Sequence, residues 1–282
     1  MLLIVGSGGL LGRHAEEYFR SLGKPVITAS HRPGTSLHVD LYAGIGDFER
    51  SLPEGITHAL ICSGLTDIDA CRRDRERSFL FNVTNTVSLL EALLSRGIRP
   101  VLCSSDLVFE GTRGNYREDD SRFPTTEYGC QKKAVEDYLL HQQTPMLILR
   151  MSKLYSREPG DPSPIGSMRA ALAQGKRIRC ATDQVLCPTL ALDIPKVLNL
   201  LIEYNATGVY HVASPFRYTR YDLGLLIAHR FGREQLVEQC SIKDFPFVEP
   251  RPVNNSLDVS KLQGTIPFSF ARVEDNLAPF LS

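Results

Sequence analysis

The apolar run Met1 to Val5 ends in Gly6-x-x-Gly9-x-x-Gly12, and the residues after it place Leu10, Leu11, Ala15, Tyr18, Phe19 and Leu22 at helical spacing. A short continuous apolar run is the pattern of a strand buried on both faces of a parallel sheet. Strand, glycine turn and helix in direct succession restrict this part of the chain to a βα unit. Gly6, Gly9 and Gly12 permit a tight turn there and let backbone approach a pyrophosphate at the positive end of the helix. Three glycines alone are also compatible with a plain turn; their position between a strand and a helix favours dinucleotide binding.

The alternation continues. Pro25 to Ala29, His58 to Cys62, Pro100 to Ser104 and Met146 to Met151 read as strands, with helices at Ser78 to Leu94 and Glu127 to His141. This order predicts an α/β fold, a doubly wound parallel sheet of the Rossmann type, over residues 1–151. Beyond 151 the winding turns irregular: Pro159, Gly160, Pro162, Pro164 and Gly166 precede a helix near Ser167 to Gln174. Strand-like Gly208 to Ala213, a helix at Tyr221 to Phe231 and the polar stretch Phe245 to Asp258 suggest a smaller C-terminal lobe. The division expected is therefore a dinucleotide-binding unit, 1–151, and a mainly substrate-binding lobe, 152–282, with segments around 180–213 returning to the sheet. Ligands of such sheets lie at the carboxyl ends of the strands, where the lobe would close over them.

Charge narrows the partner. Lys plus Arg and Asp plus Glu both number 32, so no global field recruits nucleic acid or an anionic membrane, and a small molecule is the expected ligand. Seven cysteines, an odd number with no Cys-x-x-Cys pair, suit a reducing cytoplasm better than a disulfide framework or a zinc site. No metal is expected. The first apolar run is far too short to span a bilayer. The oligomeric state stays open, and a homodimer is compatible with the pattern.

The chemistry concentrates on three residues. Tyr128 and Lys132 are four apart on one helix face, and Ser105 closes a strand at the carboxyl edge of the sheet. A cation beside the phenol is expected to lower the tyrosine pKa from about 10, so that Tyr128 can exchange a proton with a substrate oxygen. Ser105 could polarise a carbonyl there. Together with the glycine turn this describes a nicotinamide-dependent carbonyl reductase. The plainer reading makes Ser105 a strand-end cap and Tyr128 and Lys132 a surface pair. The second strand ends in Ser30-His31-Arg32 with no acidic residue nearby for the ribose hydroxyls; Arg32 suits a 2′-phosphate, hence NADPH, with NADH possible, and is otherwise a solvated loop arginine.

These residues, with Thr66-Asp67-Ile68-Asp69-Ala70-Cys71, Asn82-Val83-Thr84, Ser104 to Gly111, Asp183-Gln184, Cys187-Pro188-Thr189 and Arg251 to Asp258, make the chain resemble the extended short-chain dehydrogenase/reductases of the dTDP-4-dehydrorhamnose reductase family. The resemblance implies that NADPH lies across Gly6, Gly9, Leu10, Leu11 and Gly12, with Asp40 and Leu41 near the adenine and Cys62, Ser63 and Gly64 along the ribose and phosphates. It implies reduction of the C4 ketone of a nucleotide-linked 4-keto-6-deoxy sugar, with Tyr128 giving the proton, Lys132 holding the nicotinamide ribose and Ser105 binding the ketone oxygen. Arg251 and Asn255 are candidates for the diphosphate or sugar, or else loop structure. Lys153 stands where the family usually has Trp, and is expected as an exposed ammonium able to bind a hydroxyl or phosphate but unable to stack on a sugar. Two other readings stay open: an epimerase or dehydratase of the superfamily that retains NAD, and a non-catalytic regulatory subunit like that of methionine adenosyltransferase.

Overall fold

Strand β1 (Leu2–Val5) is buried along its whole length, and its two-residue period puts Leu3 and Val5 on one side and Leu2 and Ile4 on the other. Helices must therefore cover both faces. On one face α1 (Leu10–Ser21) and the helix Asp193–Glu203 supply Leu11, Phe19, Val197 and Leu201. On the other, the helices Asn85–Ser95 and Glu127–His141 supply Leu89, Leu93, Val135 and Leu139. The structure, a computed structural model, describes residues 1–277.

The sheet has seven strands. With β2 (Val26–Ser30), β3 (Leu37–His38), β4 (His58–Ile61), β5 (Arg99–Ser105) and β6 (Leu147–Met151), the order is Gly208–Val212, β6, β5, β4, β1, β2, β3. Every neighbouring pair is parallel. The order reverses between β1 and β4, which opens a crevice at the carboxyl ends of those two strands.

Two stretches differ from their sequence pattern. The helix expected from Ser78 begins earlier, at Arg75–Phe79, and widens into a π-turn at Leu80–Thr84 before Asn85. The irregular half hides the helix Asp193–Glu203, which packs on α1 beneath the main sheet. Gly208–Val212 joins that sheet beside β6, whereas Ile178–Ala181 pairs with Val237–Cys240 in a separate two-stranded ladder.

The lobe has its own core of Tyr155, Ile165, Met168, Leu172, Leu223 and Ile227. Its helices have clear starts: Ser163 caps Pro164–Ala173, with proline in the first turn, and Thr219 and Asp222 form a capping box on Arg220–His229. The lobe is tied back to the sheet by Tyr116 N to Ser256 O at 3.0 Å, Asn254 N to Gly111 O at 2.8 Å and an Arg251–Asp69 ion pair at 2.8 Å.

Candidate active site

The loops after β1 and β4 meet at the switch point. Gly6 has φ +87°, and a side chain there would stand 2.6 Å from Ser63 N; one at Gly12 would stand 2.3 Å from Gly6 O. These two glycines are demanded by the protein's own backbone. Gly9 differs: a Cβ would meet nothing nearer than 3.4 Å, and Gly9 caps α1 without a side-chain acceptor or an acidic residue in the first turn. The first-turn N–H groups of Leu10, Leu11 and Gly12 thus lie behind a residue with no side chain, an arrangement that fits a phosphate. Arg32 lies across the turn, donating to Gly8 O at 3.1 Å.

The adenine-side pair is less open. Asp40 accepts from Tyr42 N at 2.9 Å, while Leu41 is buried in the core and its carbonyl accepts from Asn85 at 2.8 Å.

Ser105, Tyr128 and Lys132 come together at the carboxyl end of β5. Thr126 caps the helix Glu127–His141 by accepting from Gly129 N, and Gly129 sits where a side chain would come 2.2 Å from Leu107 O. That contact presses the first turn, with Tyr128, onto the end of β5. The Tyr128 ring packs with Ile68, Cys71 and Leu107, and Ser105 lies near its hydroxyl. Lys132 donates to Cys103 O at 3.0 Å, with its ammonium 3.6 Å from where a Gly64 side chain would begin. Cys62, just after β4, lies beside Cys103 of β5.

The electrostatics reverse one expectation. Burial and the neighbouring Asp106 carboxylate push the Tyr128 phenol above its ordinary value, so in the protein itself it is a weaker acid, not a stronger one. Burial likewise lowers Lys132. Burial sets the direction for both groups. Ser105 also plays the strand-end role: its hydroxyl accepts from Leu107 N at 3.2 Å and donates to Asp106 at 3.0 Å.

A second group lies under the lobe. Lys153 is not the exposed ammonium expected: it is half-buried near Asp106, and burial lowers its pKa while Asp106 raises it. Arg251 is already engaged, paired with Asp69 and stacked 4.2 Å over Phe247, and Asn255 donates to Asp106 O at 3.2 Å. Lys153, Arg251 and Asn255 line one small cavity with Asp106 and Gln184. A larger cavity, about 330 Å³, lies on the far side of Gly64 beside Tyr42, Asp67 and Arg77.

Sequence reasoning passed over Asn82, Glu136 and Asp106 as site residues. Asn82, on the π-turn, accepts from Leu65 N and donates to Leu65 O and Gln131, tying the loop after β4 to the tyrosine helix. Glu136, fully buried one turn after Lys132, accepts from Ser104 and from Arg150 of β6. Asn82 falls in a motif quoted for the family resemblance, and a carboxylate in an apolar helix face was the available signal for Glu136. Among the described residues no cluster of three His, Cys, Asp or Glu could hold a metal, and no helix is long and apolar enough to cross a membrane.

The whole chain, residues 1–282, matches the family described as RmlD substrate binding domain. It is 29% identical to a probable low-salt glycan biosynthesis reductase, Agl14, of Haloferax volcanii, covering 98% of this chain and 95% of that protein. It is 27% identical to a dTDP-4-dehydrorhamnose reductase of Aggregatibacter actinomycetemcomitans, covering 99% and 98%. With methionine adenosyltransferase 2 subunit beta of Xenopus tropicalis it shares 28% over 99% and 87%. A solved dTDP-4-dehydrorhamnose reductase of Bacillus anthracis in complex with NADP superposes with a TM-score of 0.87, covering 99% and 97% at 21% identity, a likeness of fold.

Proposed function

The chain belongs to the RmlD substrate binding domain family, and from that premise we propose that it is an NADPH-dependent reductase of a nucleotide-linked 4-keto-6-deoxy sugar. The observation that carries the reading is the convergence of Ser105, Tyr128 and Lys132 beside the crevice where the glycine turn meets Ser63. In this reading residues 1–151 hold the cofactor and 152–282 most of the substrate.

Held across Gly6, Gly9, Leu10, Leu11 and Gly12, a reduced nicotinamide dinucleotide would supply hydride to the ketone carbon. Arg32, already at the turn, would take the 2′-phosphate. Ser105 and Tyr128 are two neighbouring hydroxyls, so a ketone oxygen between them can accept from both. The phenol pKa, raised by burial, keeps Tyr128 protonated near neutrality, the form a proton donor needs. Lys132 stabilises the phenolate formed by proton transfer and reaches the ribose from beside Gly64. The two related reductases support this reading.

The test is a panel of nucleotide-linked 4-keto sugars assayed for loss of reduced nicotinamide absorbance with NADPH and NADH. Oxidation of NADPH matched by a 4-hydroxy product supports the reductase. Tight, stoichiometric NAD on the purified protein would replace it with an epimerase or dehydratase. The 28% identity to a methionine adenosyltransferase subunit favours one further reading, a binding subunit; co-purification with a larger enzyme and no turnover would establish that instead.

A further inference from the structure

Glu249 belongs to the lobe in sequence but sits at the start of the tyrosine helix. It is 8% exposed, and both its carboxylate oxygens accept from Glu127 N, at 3.1 and 3.0 Å. The first N–H groups of a helix have no partner within it. Thr126 takes that of Gly129 at 3.1 Å, and Glu249, 122 residues further along the chain, takes that of Glu127. Tyr128 stands between the two. Its turn is thus held at two points: Gly129 packs on Leu107 O beyond β5, and Glu249 fixes the first residue of the helix.

The strap that carries Glu249 is itself pinned. Asp69, in the helix Ile68–Arg73, accepts from Val248 N at 3.2 Å, Glu249 N at 3.3 Å and Arg251 Nη1 at 2.8 Å. Arg251 Nη1 also donates to Glu249 O at 2.9 Å. Pro250 and Pro252 restrict the backbone on either side of Arg251, so Glu249 and Arg251 keep a set separation. Arg72 comes no closer to the Glu249 carboxylate than 3.9 Å and is half exposed, so the Glu127 N–H is the contact that fixes the carboxylate.

We infer that Glu249 is a positioning residue for Tyr128, fixing the first turn of the tyrosine helix from the lobe, so that the lobe as well as the dinucleotide-binding unit sets where the proton donor stands. The inference rests on the reductase reading above. Helix ends fray in their outermost turn, and Tyr128 lies in that turn. Glu249 acts through the backbone there and not on substrate. Because the same strap carries Arg251, one element positions both a candidate contact to the sugar nucleotide and the phenol that protonates it.

Three variants separate contact from charge. Glu249→Gln keeps a carbonyl oxygen in reach of Glu127 N without the charge, Glu249→Asp keeps the charge on a side chain one methylene too short, and Glu249→Ala removes both. With NADPH and a keto-sugar nucleotide, kcat of the Ala and Asp variants should fall about 10-fold, the cost of a displaced proton donor, with KM and NADPH affinity within about 3-fold because Asp69 still holds Arg251. Glu249→Gln should recover most of the loss. The solvent deuterium isotope effect on kcat should be larger in Glu249→Ala than in wild type, a change that a smaller folded fraction does not produce. On the protein alone, amide hydrogen exchange over residues 127–130 should quicken about 10-fold in the Ala and Asp variants and stay near wild type in Gln, with residues 135–139 unchanged. The opposite order, Asp like wild type and Gln like Ala, would make Glu249 only a charge at a helix end and overturns the inference. Unchanged exchange in Glu249→Ala overturns it even if no sugar is turned over. Quickened exchange together with no NADPH oxidation by wild type supports the contact and counts against the reductase reading instead. Should Glu249→Ala fail to fold, the Gln and Asp variants decide by the same order.

Discussion

Lys132 Nζ stands 5.7 Å from the centre of the Tyr128 ring, held by the Cys103 carbonyl at 3.0 Å. Helical spacing brings the two side chains onto one face, but the neighbouring strand decides where the ammonium rests. With burial and Asp106 acting the other way, the phenol stays protonated in the protein.

Tyr128→Phe removes the hydroxyl and leaves the ring among Ile68, Cys71 and Leu107. Turnover should fall by about 1,000-fold, while NADPH binding, followed by fluorescence titration, stays within about 3-fold. Near-normal turnover would dismiss Tyr128 as the acid.

Arg32 is exposed at its guanidinium end and reaches Gly8 O at 3.1 Å without an acidic partner among the described ion pairs. Arg32→Glu should weaken NADPH binding by roughly 30-fold, the loss of a charge-assisted contact, and leave NADH binding equal or better. Constants for both cofactors that do not move would remove the 2′-phosphate role.

The glycine turn separates folding from binding. Gly12→Ala would drive a methyl into Gly6 O at 2.3 Å and Ser7 Cα at 2.7 Å, both backbone atoms. Overpacking of this kind costs about 2–3 kcal/mol, so the melting temperature should drop by roughly 5 °C. Gly9→Ala has 3.4 Å of clearance and should melt like wild type, yet bind cofactor about tenfold more weakly because the methyl faces the phosphate. Equal melting temperatures for the two variants would show that the turn is looser than its geometry.

Much of this was legible in the chain because local rules and the fold agree. The run Met1 to Val5, the glycine turn and the helix Glu127–His141 each fall where period and caps put them. What stayed hidden depends on long-range contacts. The π-turn at Leu80–Thr84 exists where Asn82 reaches Leu65 and Gln131, neither of them a helical neighbour. Gly208–Val212, within the segments expected to return to the sheet, does pair with β6, but the helix Asp193–Glu203 that precedes it has no side-chain cap to announce it. Lys153 reads as a surface residue in any local pattern. Only the lobe packed over it, with Asp106 opposite, half-buries it.

The last prediction concerns His211, a fully buried residue in the strand Gly208–Val212. Its Nδ1 donates to Asp258 O at 3.0 Å, and Nε2 faces Arg150 Nη1 at 3.4 Å, a geometry that suits the neutral ring. Burial first, and Arg150 second, bring its pKa down to about 3. The unfolded chain takes up this proton near pH 6.5, whereas the folded protein resists it until about pH 3. The stability is therefore present in full above pH 6.5 and is lost as the pH falls toward 3. Between pH 6.5 and 5 the loss from this residue is about 2 kcal/mol. Urea unfolding at pH 7 and pH 5 should show wild type losing about that much more than His211→Gln, a comparison that cancels the carboxylates common to both proteins. Parallel losses would mean that the ring is protonated in the fold and that Arg150 has moved away from it.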